Sequence, residues 1–600
     1  VNQQTKHLLA GLLVFSACTP QPETAPQEAP QYTQPAPDYA SSSKRSIPPA
    51  VGFTDVTAAA GILFEHETGA FGQSWMPETM GAGVGFFDID ADGDDDALFV
   101  NGTWFAGHEG SGHEGSGDIP TAALYANRGD GTFDDVTAGS GVDVSIYGMG
   151  ISAADYNADG HTDLFLTTLG PNLLLRGEGE MRFSDATQTA DVAGVKWTDD
   201  QGRSLDEWST ATLWADVDND GWPDLFVTNY VHWSPENDLY ASFDGKQKSY
   251  ATPQQYPGST PRLYHNLGDG TFAEVTEWAG LLLPDAKSMG VASADFDEDG
   301  WVDLVVTNDT QPNYLLRNQA DGTFVESGTA AGIGYDESGR ARAGMGVDIG
   351  RLSADGRQVI GIGNFSREAM SLYTQAAAGK ALFIDGAGRS RLVQPTLRPL
   401  TFGLKFFDYD LDGRLDLMLA NGHIEPGINA VQKEISYAQP PQLFWNDGDG
   451  GLADASAQAG PFFSESLVAR GLAVGDLEGD GDVDVLLSTN GGAARVLRND
   501  VMGSQERAAL VLNLQGQHPA LEALGATVQV QSGEARQSLM VRTGSSYLSQ
   551  HSPALVFGLG AAPRADKVTV RWSDGNVQEL GPLAAGHYDV SVKGAVQAAR

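Results

Sequence analysis

Six nine-residue stretches of the chain put oxygen-bearing side chains at positions 1, 3, 5 and 9 and glycine at position 6. The first three carry Asp88, Asp90, Asp92 and Asp96, then Asp155, Asn157, Asp159 and Asp163, then Asp216, Asp218, Asp220 and Asp224. The others carry Asp295, Asp297, Asp299 and Asp303, then Asp408, Asp410, Asp412 and Asp416, then Asp476, Glu478, Asp480 and Asp484. Alternate side chains of a tight loop converge on its centre, and hard oxygen donors at this spacing wrap a hard divalent cation, here expected to be Ca2+. Carboxylates packed so closely repel one another unless a cation lies between them. An EF-hand opens in the same way but needs a bidentate Glu at position 12 between helices. Position 12 is Phe99, Leu166, Val227, Val306, Leu419 and Leu487, all apolar and in strand-like runs. The ninth-position acid, with a backbone carbonyl near position 7, is therefore expected to complete each shell. The ion is expected to fold a hairpin rather than to react; the alternative is a set of solvated acidic turns.

Other residues could do different chemistry. Five places beyond the ninth position stand Asn101, Asn229, Asn308, Asn364 and Asn421, with Thr168 and Thr489 in the remaining copies. A strand of that length crosses about 17 Å. The set therefore belongs on the face opposite the acidic loops, either as turn caps or, with His423, as a polar rim for a ligand. Met149, Met289 and Met345 each precede a loop by six residues. They are core filler or, with His66 or His423, soft ligands for a transition metal such as copper on a central axis. His108–Glu114 is not a zinc helix, because its histidines are five apart in a glycine-rich loop. No G-x-S-x-G elbow or phosphate loop is present, so the sequence offers no catalytic constellation to set against a binding role.

The elements that must position these loops form a repeat. Loops begin at 88, 155, 216, 295, 408 and 476, with one interval nearly twice the rest. Inside that interval, Gly344–Asn364 aligns with the other copies but has Arg351, Ser353 and Val359 at positions 1, 3 and 9. That makes seven repeats and six competent loops. Each repeat reads as four strands: a small-residue strand, the loop, an apolar strand, then two strands joined by an Asp-Gly turn. Seven such units predict an all-β, seven-bladed propeller. Phe53–Thr57 copies the outer-strand motif of Phe133–Thr137, and the seventh repeat lacks one. The N-terminal segment is therefore expected to complete blade seven and remove two open edges.

Composition bounds the rest. The net charge of −43 argues against nucleic acid, whose phosphates need basic groups, and against anionic lipid. The single cysteine, Cys18, precludes an internal disulfide. It follows Lys6 and a short apolar run, the layout of an export signal, and is the expected lipidation site. Residues 19–50 are rich in Pro, Gln, Ala and Ser and predict an extended tether. The expected organisation is a lipoprotein-type signal at 1–18, a tether at 19–50, a propeller at 51–505 and a small C-terminal β domain at 506–600. Insertions at Trp104–Thr121 and Val231–Arg262 are long enough to be functional or mobile.

Several segments carry a family resemblance. FTDVTAAAGILFEH (53–66), PETMGAGVGFFDIDADG (77–93), GLKFFDYDLDGRLDLMLANGH (403–423), LGATVQV (524–530), GSSYLSQHSPALVFGLG (544–560) and VTVRWSDG (568–575) resemble the ASPIC/UnbV, or cartilage acidic protein-like, family with FG-GAP/VCBS propeller repeats. The resemblance implies a secreted, Ca2+-binding propeller of the integrin α type. It implies no settled activity. The expected function is an extracytoplasmic, lipid-anchored module of the bacterial envelope that binds a protein or glycan. The alternative is an enzyme with a transition metal on the propeller axis.

Overall fold

The computed structural model describes residues 47–108, 119–242, 245–502, 506–592, 594 and 596–598, and residues 48–600 form one compact unit. The expectations for Cys18, for the tether up to residue 46 and for most of His108–Glu114 concern residues outside this set.

Each repeat folds into a four-stranded antiparallel sheet. The first strands are Val84–Phe87, Gly148–Ala154, Ser209–Ala215, Ser288–Ala294, Gly344–Gly350, Thr401–Phe407 and Ala469–Gly475. Their small residues let neighbours approach closely. Each packs on the first strand of the next repeat, and the seventh packs on the first, so the sheets close into a seven-bladed ring. The fifth repeat is a complete blade despite its altered loop. Phe53–Asp55 pairs antiparallel with Arg495–Asn499 as the outer strand of blade seven. Phe53 is buried there between Tyr409 and Phe463.

A second set of bonds ties blade to blade. The third strand of most blades ends in an asparagine whose amide donates to a loop carbonyl of the preceding blade. Asn266 reaches Tyr156 (2.8 Å), Asn318 reaches Val217 (2.7 Å), Asn446 reaches Leu352 (2.9 Å) and Asn499 reaches Tyr409 (2.9 Å). Asn127 reaches Leu477 (3.0 Å) across the closure, and Gln375 does the same work for blade five at Phe296 (2.8 Å).

The tail builds two four-stranded sheets. In one, Ala508–Gln515 lies antiparallel to Leu555–Gly560 and parallel to Gly586–Ser591; in the other, Thr527–Ser532 lies between Ala535–Met540 and Lys567–Arg571. Leu510, Leu512, Val528, Val530, Phe557 and Val568 fill the space between them, and this core runs on into Tyr156, Trp214 and Phe272 of the propeller. The tail is thus less separate than its sequence implies.

Between Ala535–Met540 and Leu555–Gly560 the tail also sends residues 541–553 into the ring axis. Backbone or side-chain groups of this segment bond the first strands of six blades. Gln550 exchanges bonds with Val84 and Phe86 (both 3.1 Å), and Leu548 O accepts from Ile151 N–H (3.2 Å). Ser546 and Val347 exchange two bonds (2.7 and 2.9 Å). Thr543 Oγ1 accepts from Trp214 N–H (2.7 Å), Ser546 Oγ from Leu404 N–H (3.2 Å) and His551 Nδ1 from Val474 N–H (3.2 Å). Ser545, Ser546 and Leu548 adopt positive φ (82°, 57° and 55°), a costly choice for side-chain-bearing residues that so many bonds can hold in place. At Gly83 a Cβ would sit 2.2 Å from Leu548 O, so glycine is required there.

The other mouth is closed by the insertions. Phe105 of the first and Trp233 of the second meet Phe71, Trp75 and Tyr147 in one aromatic cluster. Phe105 and Trp233 are thus buried anchors of the two insertions, while Ile119, Leu239 and Tyr240 of the same insertions are exposed. Arg470 lies near this end, fully buried, donating to the carbonyls of Thr79, Gly422, Ala469 and His423 and standing 3.9 Å over the Phe402 ring.

If residues 541–553 are the packing of the axis, Leu548→Ala removes a fully buried side chain and is expected to cost about 2–5 kcal/mol. Val577→Ala, on an exposed strand of the same tail, should change stability by less than about 0.5 kcal/mol. Urea unfolding of both variants checks this; equal and small losses would place Leu548 outside the core.

Candidate metal centres

The loops join the first and second strands of each blade. In all six, the position-1 aspartate accepts backbone N–H groups of its own loop: Asp155 from Asp159 and Gly160 (3.0 and 2.8 Å), Asp408 from Asp412 and Gly413 (3.0 and 2.7 Å). The position-5 acid accepts the N–H of position 7, as Asp220 does from Trp222 (2.8 Å). Position 4 is left-handed in every competent loop, at Ala91, Ala158, Asn219, Glu298, Leu411 and Gly479. This fold turns the side chains of positions 1, 3, 5 and 9 towards one another. Carboxylate oxygens of Asp88, Asp90 and Asp96 lie within 4.8 Å of one another, as do those of Asp216, Asp218 and Asp220, of Asp295, Asp297 and Asp299, and of Asp408, Asp410 and Asp416.

The ninth-position acid has a second duty that the sequence does not display. One oxygen accepts the N–H of loop position 2 and the other an N–H of the third strand. For Asp163 these are Tyr156 (3.0 Å) and Gly177 (2.7 Å); for Asp484, Leu477 (2.7 Å) and Asn499 (2.6 Å). Asp96, Asp224, Asp303 and Asp416 repeat the pattern. A carboxylate has about four lone-pair directions, so it can clamp three chain segments and still face a cation. All six are buried. Burial pushes Asp96 and Asp163 up to about 8 and Asp303 up to about 7, and Asp416 and Asp484 far above the usual carboxylate range.

The chemistry of the donor set can be tested against orphaned atoms. Asp297 Oδ1, Asp410 Oδ1 and Glu478 Oε2 are buried without a hydrogen-bond partner. All three belong to position 3, which in the second and third loops accepts the N–H of position 5 (Asn157 from Asp159, 2.9 Å; Asp218 from Asp220, 3.3 Å). The other oxygen of each of the three side chains faces an arginine, Arg317, Arg507 and Arg498 respectively, but an unpaired buried carboxylate oxygen is costly and leaves a place for a further positive partner. The residues present fit a hard divalent cation. Blade three differs in one respect: His265 Nδ1 lies 3.0 Å from Asp224 Oδ1 and joins Asp218 and Asp224 in a tight group.

The fifth loop keeps only the turn. Asp355 accepts from Arg357 N–H (3.1 Å), but Arg351, at position 1, donates to Gly356 O (3.1 Å). A guanidinium donor has replaced the carboxylate acceptor. Gln358 and Gln375 take over the clamp of the ninth-position acid, Gln375 Oε1 accepting from Gln358 N–H (2.8 Å).

Of the two readings of the second-strand asparagines, turn cap or polar rim, their contacts fit the turn cap. Asn101, Asn229, Asn308, Asn364 and Asn421 are all buried. Each donates its amide to a nearby carbonyl: of Thr121 (3.0 Å), Thr260 (2.8 Å), Pro312 (2.8 Å), Ala369 (2.7 Å) and Pro440 (2.9 Å) respectively. They brace the connection from the second to the third strand, which is the turn-cap alternative. His423 is buried too, its Nδ1 accepting from Glu425 N–H (3.0 Å) and its Nε2 beside Ser366 Oγ (3.2 Å). Met149, Met289 and Met345 are fully buried in one cluster with Tyr547 and Leu548. This packing is that of the core-filler alternative. Sequence reasoning missed the inter-blade asparagines, although each stands in plain view before a hairpin turn.

Comparison with known proteins places this geometry. The FG-GAP-like repeat matches residues 88–166, 155–227, 244–306, 295–360 and 408–487, more than half of the chain, and the ASPIC and UnbV domain matches 516–596. The chain belongs to the ASPIC/UnbV family with FG-GAP-like repeats. This ASPIC/UnbV protein is 27% identical to mouse (Mus musculus) cartilage acidic protein 1 over 282 residues, 46% of the chain and 40% of the relative. It is 29% identical to the Xenopus tropicalis protein over 190 residues, 31% of the chain and 24% of the relative. The matched part thus spans less than half the length of these relatives. Among solved structures it is similar to an Agrocybe aegerita lectin that recognises non-reducing terminal N-acetylglucosamine (TM-score 0.37, 16% identity, 69% of this chain and 86% of that one). It is also similar to BBS1N in complex with ARL6DN (TM-score 0.41, 11% identity, 75% and 98%).

The buried acids set a pH dependence. An acid whose folded pKa lies above its unfolded value near 4 contributes stability that is complete below that value and is lost as pH rises through the folded pKa. For Asp96, Asp163 and Asp303 that window ends at about 7 to 8. Stripped of divalent ions, this ASPIC/UnbV protein is therefore expected to melt at a higher temperature near pH ~5.5 than near pH ~8. Differential scanning calorimetry across that range checks the slope, which saturating Ca2+ should flatten.

Proposed function

We propose that the protein is a calcium-stiffened interaction module of the bacterial envelope, exported and carried on a lipid at Cys18, that binds a protein or glycan ligand. The observation that carries the calcium part is the orphaned position-3 oxygen in three separate loops. Asp88, Asp90, Asp92 and Asp96 and their counterparts in the other five loops would hold the ions, with Asn157 as the neutral member of the second set. Ca2+ suits oxygen donors in a flexible shell of six to eight. When bound, it supplies positive charge to acids that the fold has buried. The residues themselves hold the turn, clamp the third strand and seat the tail.

An interaction role follows from what the molecule exposes. Tyr547, Leu548, Phe105 and Trp233 are buried together in one core cluster, which favours the outside of the ring and the junction between the loops and the tail as the usable surface. The tether would give this body reach from a membrane, and the FG-GAP-like repeats and the similarity to cartilage acidic protein 1 support a binding role rather than naming a ligand.

Chelation with EDTA should lower the melting temperature, since a ligand at a hundredfold excess over its Kd contributes about 2.7 kcal/mol per site. Metal analysis should return about six Ca2+ per chain, and Asp297→Asn should remove one. An unchanged melting temperature in EDTA would end the calcium reading. Export and anchoring are checked separately, by labelled palmitate incorporation that Cys18→Ala abolishes.

A further inference from the structure

The fifth loop carries Arg351 where the other loops carry an aspartate, and space opens beside it. A cavity of about 320 Å³ lies between blades four to seven and the tail sheets, and a second of about 740 Å³ adjoins it. Arg351, Gln529 and Ser538 line both. Such volumes are typical of small-ligand sites.

The first cavity is lined by four cations, Arg351, Lys405, Arg542 and Arg571, and four acids; three of the acids, Asp295, Asp408 and Asp476, are turned to the N–H groups of their own loops. Arg351 donates to Gly356 O and, among the described residues, has no carboxylate within 4.0 Å of its guanidinium. Asp295 and Glu298 are the acids that act on it, and Asp295 is already engaged by Asp299 and Gly300 N–H in its own loop. Arg542 comes from the tail side and donates to Asp348 Oδ1 (2.8 Å) and Ile349 O (2.6 Å). Lys405 shares that same Asp348 oxygen at 3.4 Å. Two cations divide one carboxylate and a third has none, in a chain whose net charge is −43. Bringing like charges together out of water is costly unless an anion lies between them.

The walls add a second, independent sign. The Ser538 hydroxyl is buried without a hydrogen-bond partner on the surface of both cavities. Gln529 and Arg571 stand on neighbouring strands of the same tail sheet and also line the first cavity. Guanidiniums grip oxyanions through paired N–H groups, and amides with hydroxyls match sugar hydroxyls.

We propose that this junction binds a sugar carrying an oxyanion, a carboxylate or a sulfate, with Arg351 and Arg542 holding the charged group and Gln529 and Ser538 meeting the ring hydroxyls. The proposal rests on the interaction-module reading for its ligand class alone; calcium loading is reported by EDTA melting, so the two can fail separately.

Isothermal titration of the full chain, loaded with Ca2+, with glucuronate, galactose 6-sulfate and neutral galactose tests it. At least one anionic sugar is expected to bind saturably at one site per chain while galactose gives no heat, and the anion that binds tells carboxylate from sulfate. Arg351→Gln should weaken binding by about tenfold or more, the size of a lost charged hydrogen bond. Arg128→Gln, at an exposed pair with Asp134 on blade one, should leave it unchanged. If Arg351→Gln fails to fold, Arg571→Gln on the exposed edge of the cavity should still weaken binding about threefold. Absence of saturable binding by both anions, equal binding of galactose, or full affinity in the folded arginine variants would overturn the proposal.

Discussion

A carboxylate buried at the ninth position of six loops is the constraint around which the propeller is built. Such a charge is tolerated inside a protein only when its lone pairs are used. Here two backbone N–H groups use them, one from the loop and one from the third strand. Loop shape, strand pairing and acid placement are therefore one decision. In these six blades pairing the third strand brings the acid inside, where burial raises its pKa and favours either a proton or a neighbouring cation. Blade five shows the other solution. Val359 replaces the acid, Gln358 and Gln375 supply neutral bonds, and the sheet keeps all four strands. That blade is free of the need for an ion, and its loop is the one that can carry a guanidinium instead.

A ring of seven blades leaves an axis, and the axis must be filled. The inner strands present small residues so that they can meet, but small residues cannot also reach the centre. The tail solves this from the loop side with Ser545–His551, and the insertions close the opposite side with Phe105 and Trp233. The stretch GSSYLSQHS is so polar because it bonds backbone groups of five blades, with Thr543 beside it reaching a sixth, while its Tyr547 and Leu548 fill the middle. This polar segment is packing, not an exposed recognition motif. This moves any ligand away from the axis, where propellers often bind, and towards the tail junction.

Most of the fold is legible in the sequence because it depends on local and repeated features. The acidic loops, the Asp-Gly turns and the FTDVT copy each stand at fixed offsets, and they predict seven sheets and the closing strand at Phe53–Asp55. What cannot be read is contact between distant segments. Asn229 and Asn308 resemble a surface rim when counted along strands, but Thr260 O and Pro312 O, supplied by the following turns, take their amides. Asn266 and Asn318 look like ordinary hairpin residues, yet they join blades through carbonyls 110 and 101 positions away. The pairing of Arg351 with Arg542 across the junction has no local signal either, because one residue lies in a repeat and the other in the tail. The position-1 arginine is visible in sequence only as the loss of a ligand, not as the gain of a cation.

The tail and the cation loops are parts of one equilibrium. Asp155 N–H of the second loop donates to Glu522 (2.9 Å), and Gly560 N–H donates to Leu411 O inside the sixth loop (2.8 Å). A loop held in shape by an ion therefore offers the tail a finished seat, while a loop whose acids repel one another does not. Linkage makes this reciprocal: whatever free energy an ion adds to tail docking, tail docking adds to ion binding. Because the axial segment is continuous with the docked sheets, the same coupling reaches the centre of the ring. The tail touches both the acidic loops and the axis, so a cation held by any one loop would bear on the whole propeller rather than on that turn alone.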